Sequence, residues 1–524
     1  MAASAERPPE ARRDWLLPGA AALFGAALCG LVVSRFGGFF MASDDAYIYL
    51  GYARSLLERG ELFSYDPGEH SAGSTGLLYY YALCAAGALL RPFYWPDAGR
   101  ALTLTAFLLA SALFVLFALA LHRSWRRLSD ATGRRALLEE AILFLLAVTS
   151  VRFVWGWFSG MENPLTATLV AFILERFLAR APGWQLALLA AALSCSRPEL
   201  LPFGALLTSL AALSGVTRGG SVSRSSLARA LGALLLYAFC AAALTLPSRL
   251  LTGQWMPSAL GARVEIPALT RPDLLARNFA AAARGGYFWN PWVAGAVALA
   301  LLAGFSPRAP SRGVLRAASL LLVAYFATRA ALGLTDFNVQ DRYVSYLWPL
   351  YVTVALALVT RVPALRAFHA PGRDIGRLSL ALGLAAVTIA GGWALLRAHR
   401  ELSADILEMN QVVVAPSLWM AQNLPAGSRV AMEPAGAIRV FTDFYLVDNT
   451  GLTTGHLAEY LADRGVAGTL GEYLRRNRVD YVFDYPSRAA DLRDRDRFAL
   501  LQLWTPQPRR YSLGPIAVLA VRPE

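Results

Sequence analysis

The chain has 524 residues, 56% of them hydrophobic and 16% charged, with a mean hydropathy of +0.43. Apolar runs of helical length recur from the N-terminus to about residue 396, which excludes one large soluble core and indicates an α-helical polytopic membrane protein. The net charge is +13 and all 49 basic residues are Arg; the surplus lies between apolar runs, so it reads as membrane topology and not as a nucleic-acid surface.

Arg7, Arg12 and Arg13 precede the first apolar run, 16–38, and no small-residue cleavage site follows, so a signal-anchor helix is expected. Further runs fall near 77–92, 100–121, 137–156, 161–179, 184–197, 199–215, 230–250, 289–305, 316–334, 346–360 and 378–396. Four Arg clusters separate them: Arg123 to Arg135, Arg218 to Arg229, Arg308 to Arg316 and Arg361 to Arg377. The positive-inside rule places these clusters and the N-terminus in the cytoplasm. The loop 39–76 is then outside and the loop 122–136 inside, so an odd number of crossings separates them, yet two apolar runs lie between. The shorter, 77–92, carries Tyr79, Tyr80, Tyr81 and Arg91-Pro92, and is expected to be re-entrant or interfacial. About eleven crossings remain, with the loops at 39–76, 157–161, 251–288 and 335–345 on the outer face. Cys29, Cys84, Cys195 and Cys240 all lie in apolar runs without metal-ligand spacing and read as packing residues.

Two units are expected: a membrane domain over 1–396 and a small extracytoplasmic α/β domain over 397–524. In the latter, a helical stretch covers 401–423, strand-like runs fall at Arg429–Met432, Tyr445–Val447 and Val479–Phe483, and helical patterns lie near 456–464 and 468–477. It has no GxGxxG or Walker motif, so a docking or stabilising role is expected ahead of acceptor binding.

Candidate chemistry gathers in the outer loops. Asp44 and Asp45 follow the first run, at the start of a stretch with Ala46, Leu50, Ala53 and Leu57 on one face and Gly60 as a stop. This predicts an amphipathic helix on the membrane surface, with Tyr47, Tyr49 and Tyr52 at interfacial depth. One acid is accounted for by the helix N-terminus; a pair can divide the roles of general base and orienting or cation-binding group. The turn-rich stretch from His70 through Ser74 to Gly76 can bring backbone N–H groups close to a sugar or phosphate. Glu162 follows the aromatic run Trp155–Phe158, which reads as an interfacial belt or a platform for a sugar or lipid. Arg197 and Glu199 lie at a break between two half-length helices, where charges are costly unless paired or functional. Arg342, with Tyr343 beside it, suits a lipid-linked phosphate.

The Asp-Asp pair, the Tyr-rich helix ending Ala-Arg-Ser-Leu-Leu-Glu-Arg-Gly and the following Asp-Pro-Gly-Glu and Gly-Ser-Thr together resemble the GT-C glycosyltransferases, polytopic enzymes that use polyprenyl-phosphate sugars. Ser159–Leu165, Ser196–Glu199 and Asp341–Tyr343 are similar to segments of the bacterial branch containing the terminal arabinofuranosyltransferases of mycobacterial cell walls and related mannosyltransferase-like proteins. Residues 74–78 lack the Pro common at the end of the first-loop motif, which leaves the sugar open. The resemblance implies a GT-C-like fold and inverting transfer of a sugar from a polyprenyl-phosphate donor to a hydroxyl of a cell-envelope glycan, lipid or protein, in the bacterial plasma membrane. Asp44, Asp45 and Glu162 would be catalytic, with Asp44 the preferred base. Arg342, Tyr343 and Arg197 would bind the donor phosphate, and His70, Ser74 and Tyr47 the substrate. No cofactor is required, although the acid pair can hold a divalent cation. The alternative is a transporter or flippase of lipid-linked sugars, which also needs many spans; no internal repeat supports it.

Overall fold

A computed structural model describes residues 16–94, 98–128, 133–217, 224–255, 271–282, 347, 373–449, 451–454, 474–485, 498–506 and 515–522. The membrane part comprises α1 (Leu16–Phe36), α2 (Asp44–Arg59), a short hairpin β1 (Ser64–Asp66) and β2 (Glu69–His70), α3 (Leu77–Tyr94) and α4 (Ala98–Leu128). It continues through α5 (Gly133–Thr149), α6 (Val151–Phe158), α7 (Asn163–Leu178), α8 (Gly183–Ser196), α9 (Leu201–Thr217), α10 (Arg224–Thr252), α11 (Pro272–Ala282) and α12 (Arg373–Met409). The apolar runs at 289–305, 316–334 and 346–360, with Arg342 and Tyr343, lie outside the described residues apart from Leu347.

Among the described residues, α1, α4 and α10 are long and apolar enough to cross a membrane. The run expected at 77–92 forms one continuous helix of 18 residues, about 27 Å long. It packs on α2, α4 and α8 and is not one of those three. The run expected as one helix over 137–156 is broken: Ser150 leaves the helix at φ −73°, ψ 97°, and its side chain accepts the Phe153 N–H to start α6. The break expected near 196–199 is present, because Arg197 adopts an extended conformation between α8 and a single 3₁₀ turn, Pro198–Leu200.

The helix α12 runs unbroken past residue 397, burying Ala394, Ala398, Leu402, Ile406 and Met409 along one stripe. A π-helical turn, Asn410–Val414, leads into α13 (Ala415–Asn423) and the sheet domain. There β3 (Arg429–Met432), α14 (Ala435–Phe441), β4 (Tyr445–Asp448), β5 (Tyr481–Asp484), β6 (Phe498–Trp504) and β7 (Ile516–Val521) form a five-stranded sheet in the order β4-β3-β5-β7-β6. β3 pairs in parallel with β4 and β5, while β7 pairs antiparallel with β5 and β6. β3, β4 and β5 are buried after their first residue, the continuous burial of parallel strands covered on both faces. β3, β4 and β5 fall on the strand-like runs of the sequence, whereas β6 and β7 form where none is expected. The run expected as a helix at 456–464 lies outside the described residues, as does 468–473 of the run expected at 468–477, whose residues 474–476 are helical.

Candidate functional site

α2 is the hub, and its surroundings differ from the expectation. It does not lie free on a membrane surface. Every residue from Ala46 to Ala53 is buried, because α3, α4 and α14 of the sheet domain all pack on the helix. The amphipathic stripe covers only part of this contact; the rest is made by tyrosines pointing into protein. The Met41 N–H donates to the Tyr47 hydroxyl at 3.1 Å. Tyr49 bonds Thr75 Oγ1 at 2.7 Å and accepts the Gly76 N–H at 2.9 Å. Tyr52 bonds Ser71 Oγ at 2.7 Å and accepts the Gly73 N–H at 3.0 Å. Burial raises all three phenols above the ordinary range, so they serve as neutral groups that pin the loop 71–76 over the helix.

The acid pair opens this helix. Ser43 precedes it in extended conformation without a side-chain cap bond. Asp44 is turned toward the sheet domain: its Oδ2 accepts the Gly436 N–H at 2.9 Å and its Oδ1 the Ala437 N–H at 3.0 Å. These are orphan donors of the first turn of α14, so the carboxylate of one helix completes the start of another. Burial pushes the Asp44 carboxyl up to about 7, against the lowering effect of the two N–H donors; Asp45 and Asp448 raise it further. Asp44 and Asp45 are both partly exposed. Among the described residues, no group of three or more His, Cys, Asp or Glu is placed to hold a metal ion.

A second constellation lies farther along α2. Glu162 is fully buried and precedes α7 without capping it. Instead it accepts Arg197 Nε at 2.7 Å and pairs again with Arg197 Nη2, while Arg197 Nη1 lies 3.3 Å from Glu199. The second Glu162 oxygen and the Ser74 hydroxyl are buried without a hydrogen-bond partner among the described residues. Gly76 fits against this network because it lacks a side chain: a Cβ there would lie 3.1 Å from Glu162 Cβ and 2.9 Å from the Ser196 carbonyl oxygen. Gly160, at φ +88°, lets the turn before Glu162 approach Ala46, and its carbonyl accepts the Tyr79 hydroxyl at 2.9 Å. Three motifs separated in sequence therefore meet at α2.

The remaining expected residues are dispersed. His70 is exposed on β2, its Nδ1 2.9 Å from the Leu62 carbonyl. Trp155, Trp157 and Phe158 are core residues, not a belt or an open platform: Trp155 donates to Asp405 at 2.7 Å and Trp157 to the Ala110 carbonyl at 2.8 Å. Asp66, Gly436 and Arg439 were missed as parts of the site, since their partners are hundreds of positions away. Beside Thr75 and Pro198, an apolar cavity of about 260 Å³ lies among α3, α8, α9 and α10, lined also by Leu77, Cys195, Ala241 and Trp255.

The fold is similar to those of two solved structures. The structure of ArnT from Cupriavidus metallidurans bound to undecaprenyl phosphate matches with a TM-score of 0.55, at 12% identity, over 97% of this chain and 99% of that one. The archaeal oligosaccharyltransferase AglB from Archaeoglobus fulgidus, in complex with an inhibitory peptide and a dolichol-phosphate, matches with a TM-score of 0.52, at 14% identity, over 91% of this chain and 70% of that one. Residues 401–515 match a domain of unknown function, DUF8728. No curated protein matches the chain.

Proposed function

We propose that this protein is an inverting membrane glycosyltransferase. It moves one sugar from a polyprenyl-phosphate donor to a hydroxyl of an extracytoplasmic glycan, lipid or protein of the bacterial cell envelope. One observation carries the reading: on a GT-C fold, two adjacent carboxylates open a buried helix, and one is fixed in place by paired backbone donors. Both Asp44 oxygens face backbone donors, which supports a reading in which Asp44 anchors and Asp45 is the general base, in place of the Asp44 preferred from the sequence. As the acceptor oxygen attacks the anomeric carbon, its proton passes to Asp45, the bond from that carbon to the phosphate oxygen breaks, and polyprenyl phosphate departs.

Arg197 is held by two carboxylates, an unsuitable setting for an anionic phosphate, so charge on the leaving group falls to Arg342 and Tyr343. The cavity beside Thr75 has the apolar lining that an isoprenoid chain requires. The chain sits in the plasma membrane with the N-terminus cytoplasmic, about eleven crossings and the sheet domain outside; the sugar is a pentose or hexose, as in the arabinofuranosyl and mannosyl branch. In membranes given radiolabelled lipid-linked sugar, Asp45→Asn should cut transfer by about 10²- to 10⁴-fold. Full transfer by both Asp44→Asn and Asp45→Asn would sink the proposal, and movement of intact lipid-linked sugar without transfer would favour a flippase.

A further inference from the structure

We propose that the C-terminal sheet domain is a positioning module for the acid pair, with Gly436 and Arg439 as its positioning residues. This rests on the reading that the pair carries the transfer, and it gives a role to the region that matches a domain of unknown function.

α2 grips α14 at both ends, as a clamp. α14 has seven residues and is about 10 Å long, too short to be stable alone. Asp44 takes the N–H groups of its first turn. Ten residues further along α2, about 15 Å, Arg54 Nη1 donates to the carbonyls of Arg439, Val440 and Thr442 at 3.0 to 3.2 Å. Arg54 Nη2 donates to Asp443 at 2.8 Å. The two helices therefore run parallel, and an acid and a base of α2 meet the opposite ends of the α14 dipole.

The loop after α2 holds the same helix from another side. The Tyr65 hydroxyl donates to the Ala435 carbonyl. Arg439, fully buried, pairs with Asp66, donates to the Phe444 carbonyl at 3.0 Å and lies over the Tyr65 ring. Asp66 also accepts the Leu446 N–H of β4 at 2.8 Å. The contact is close enough to demand glycine twice. A Cβ on Gly436 would lie 2.7 Å from Asp44 Oδ1 and 2.8 Å from Tyr47 Cβ, and one on Gly51 would lie 2.8 Å from Arg439 Cγ. The position of Asp44 is thus set by the sheet domain, and that of Asp45, the next residue in the chain, follows from it.

The test compares Gly436→Ala and Arg439→Met with Arg439→Lys and Tyr65→Phe in the full-length protein. Hydrogen exchange over residues 44–60 and transfer kinetics are read on each. Gly436→Ala should raise exchange in that segment at least tenfold and lower kcat about tenfold to a hundredfold at unchanged donor KM, as expected when a reacting group moves by about an ångström. Tyr65→Phe, a milder change that keeps the fold, should act in the same direction by a few fold, and Arg439→Lys should recover part of what Arg439→Met loses. Unchanged exchange over 44–60 would overturn the proposal, as would raised exchange with unaltered kcat. Raised exchange in a protein whose wild type transfers no sugar would support the clamp and remove the enzymatic reading.

Discussion

Replacing Arg197 by Met probes the buried network under the first outer loop. The side chain is 4% exposed and stands between Glu162, at 0%, and Glu199, at 7%. Removing the guanidinium leaves two buried carboxylates without their cation. Breaking one such pair costs about 3–5 kcal/mol. The folding equilibrium should therefore fall by roughly a hundredfold to a few thousandfold, since each 1.4 kcal/mol is tenfold. Converting all three positions together, as Glu162→Leu, Arg197→Met and Glu199→Leu, should recover most of that loss, because the desolvation cost disappears with the charges. The assay is the unfolding midpoint in mixed micelles titrated with SDS, followed by Trp fluorescence. An Arg197→Met protein within about 1 kcal/mol of wild type would show that Arg197 does not compensate the two buried carboxylates. If its donor KM alone rose, Arg197 would be a phosphate ligand after all.

The apolar cavity gives a kinetic prediction: Ala241→Trp should raise the KM for a long-chain donor about tenfold or more, the equivalent of two or three lost methylene burials, while a short-chain donor is used as before. An equal effect on both donors would remove the chain from this cavity. The first-loop acids give a pH dependence. Burial holds the Asp44 carboxyl at about 7 and that of Asp66 at about 6, above their ordinary range. The folded state then binds these protons more tightly than the unfolded state, so their contribution is complete below about pH 4 and is lost as the pH rises through 6 to 7. The unfolding midpoint should decline over that window and then level, and Asp44→Asn should flatten part of the decline; a midpoint unaffected by Asp44→Asn throughout would contradict it.

Much of the architecture was legible because it depends on local pattern. The apolar lengths of α1, α4 and α10, the break at Arg197 and the strands β3, β4 and β5 follow from composition and periodicity over a dozen residues. The strand β6 has Leu500, Leu501 and Leu503 exposed at a sheet edge, so its run lacks the alternation that marks a half-buried strand. The surface-helix expectation for α2 failed for a related reason: a stripe of small residues and tyrosines suits a membrane interface or a protein interior equally well, and only the partner decides.

An α-helical membrane protein with an acid pair just beyond its first apolar helix is legible in the sequence alone. What Asp44, Asp66 and Glu162 touch follows only from folding. Asp44 meets Gly436 across 392 positions, Arg439 meets Asp66 across 373, and Arg197 meets Glu162 across 35. The physical reason is that a carboxylate has the same local signature whether it caps a distant helix, neutralises a buried arginine or accepts a substrate proton. Its energy, and therefore its role, is set by the donors and the dielectric that folding brings to it.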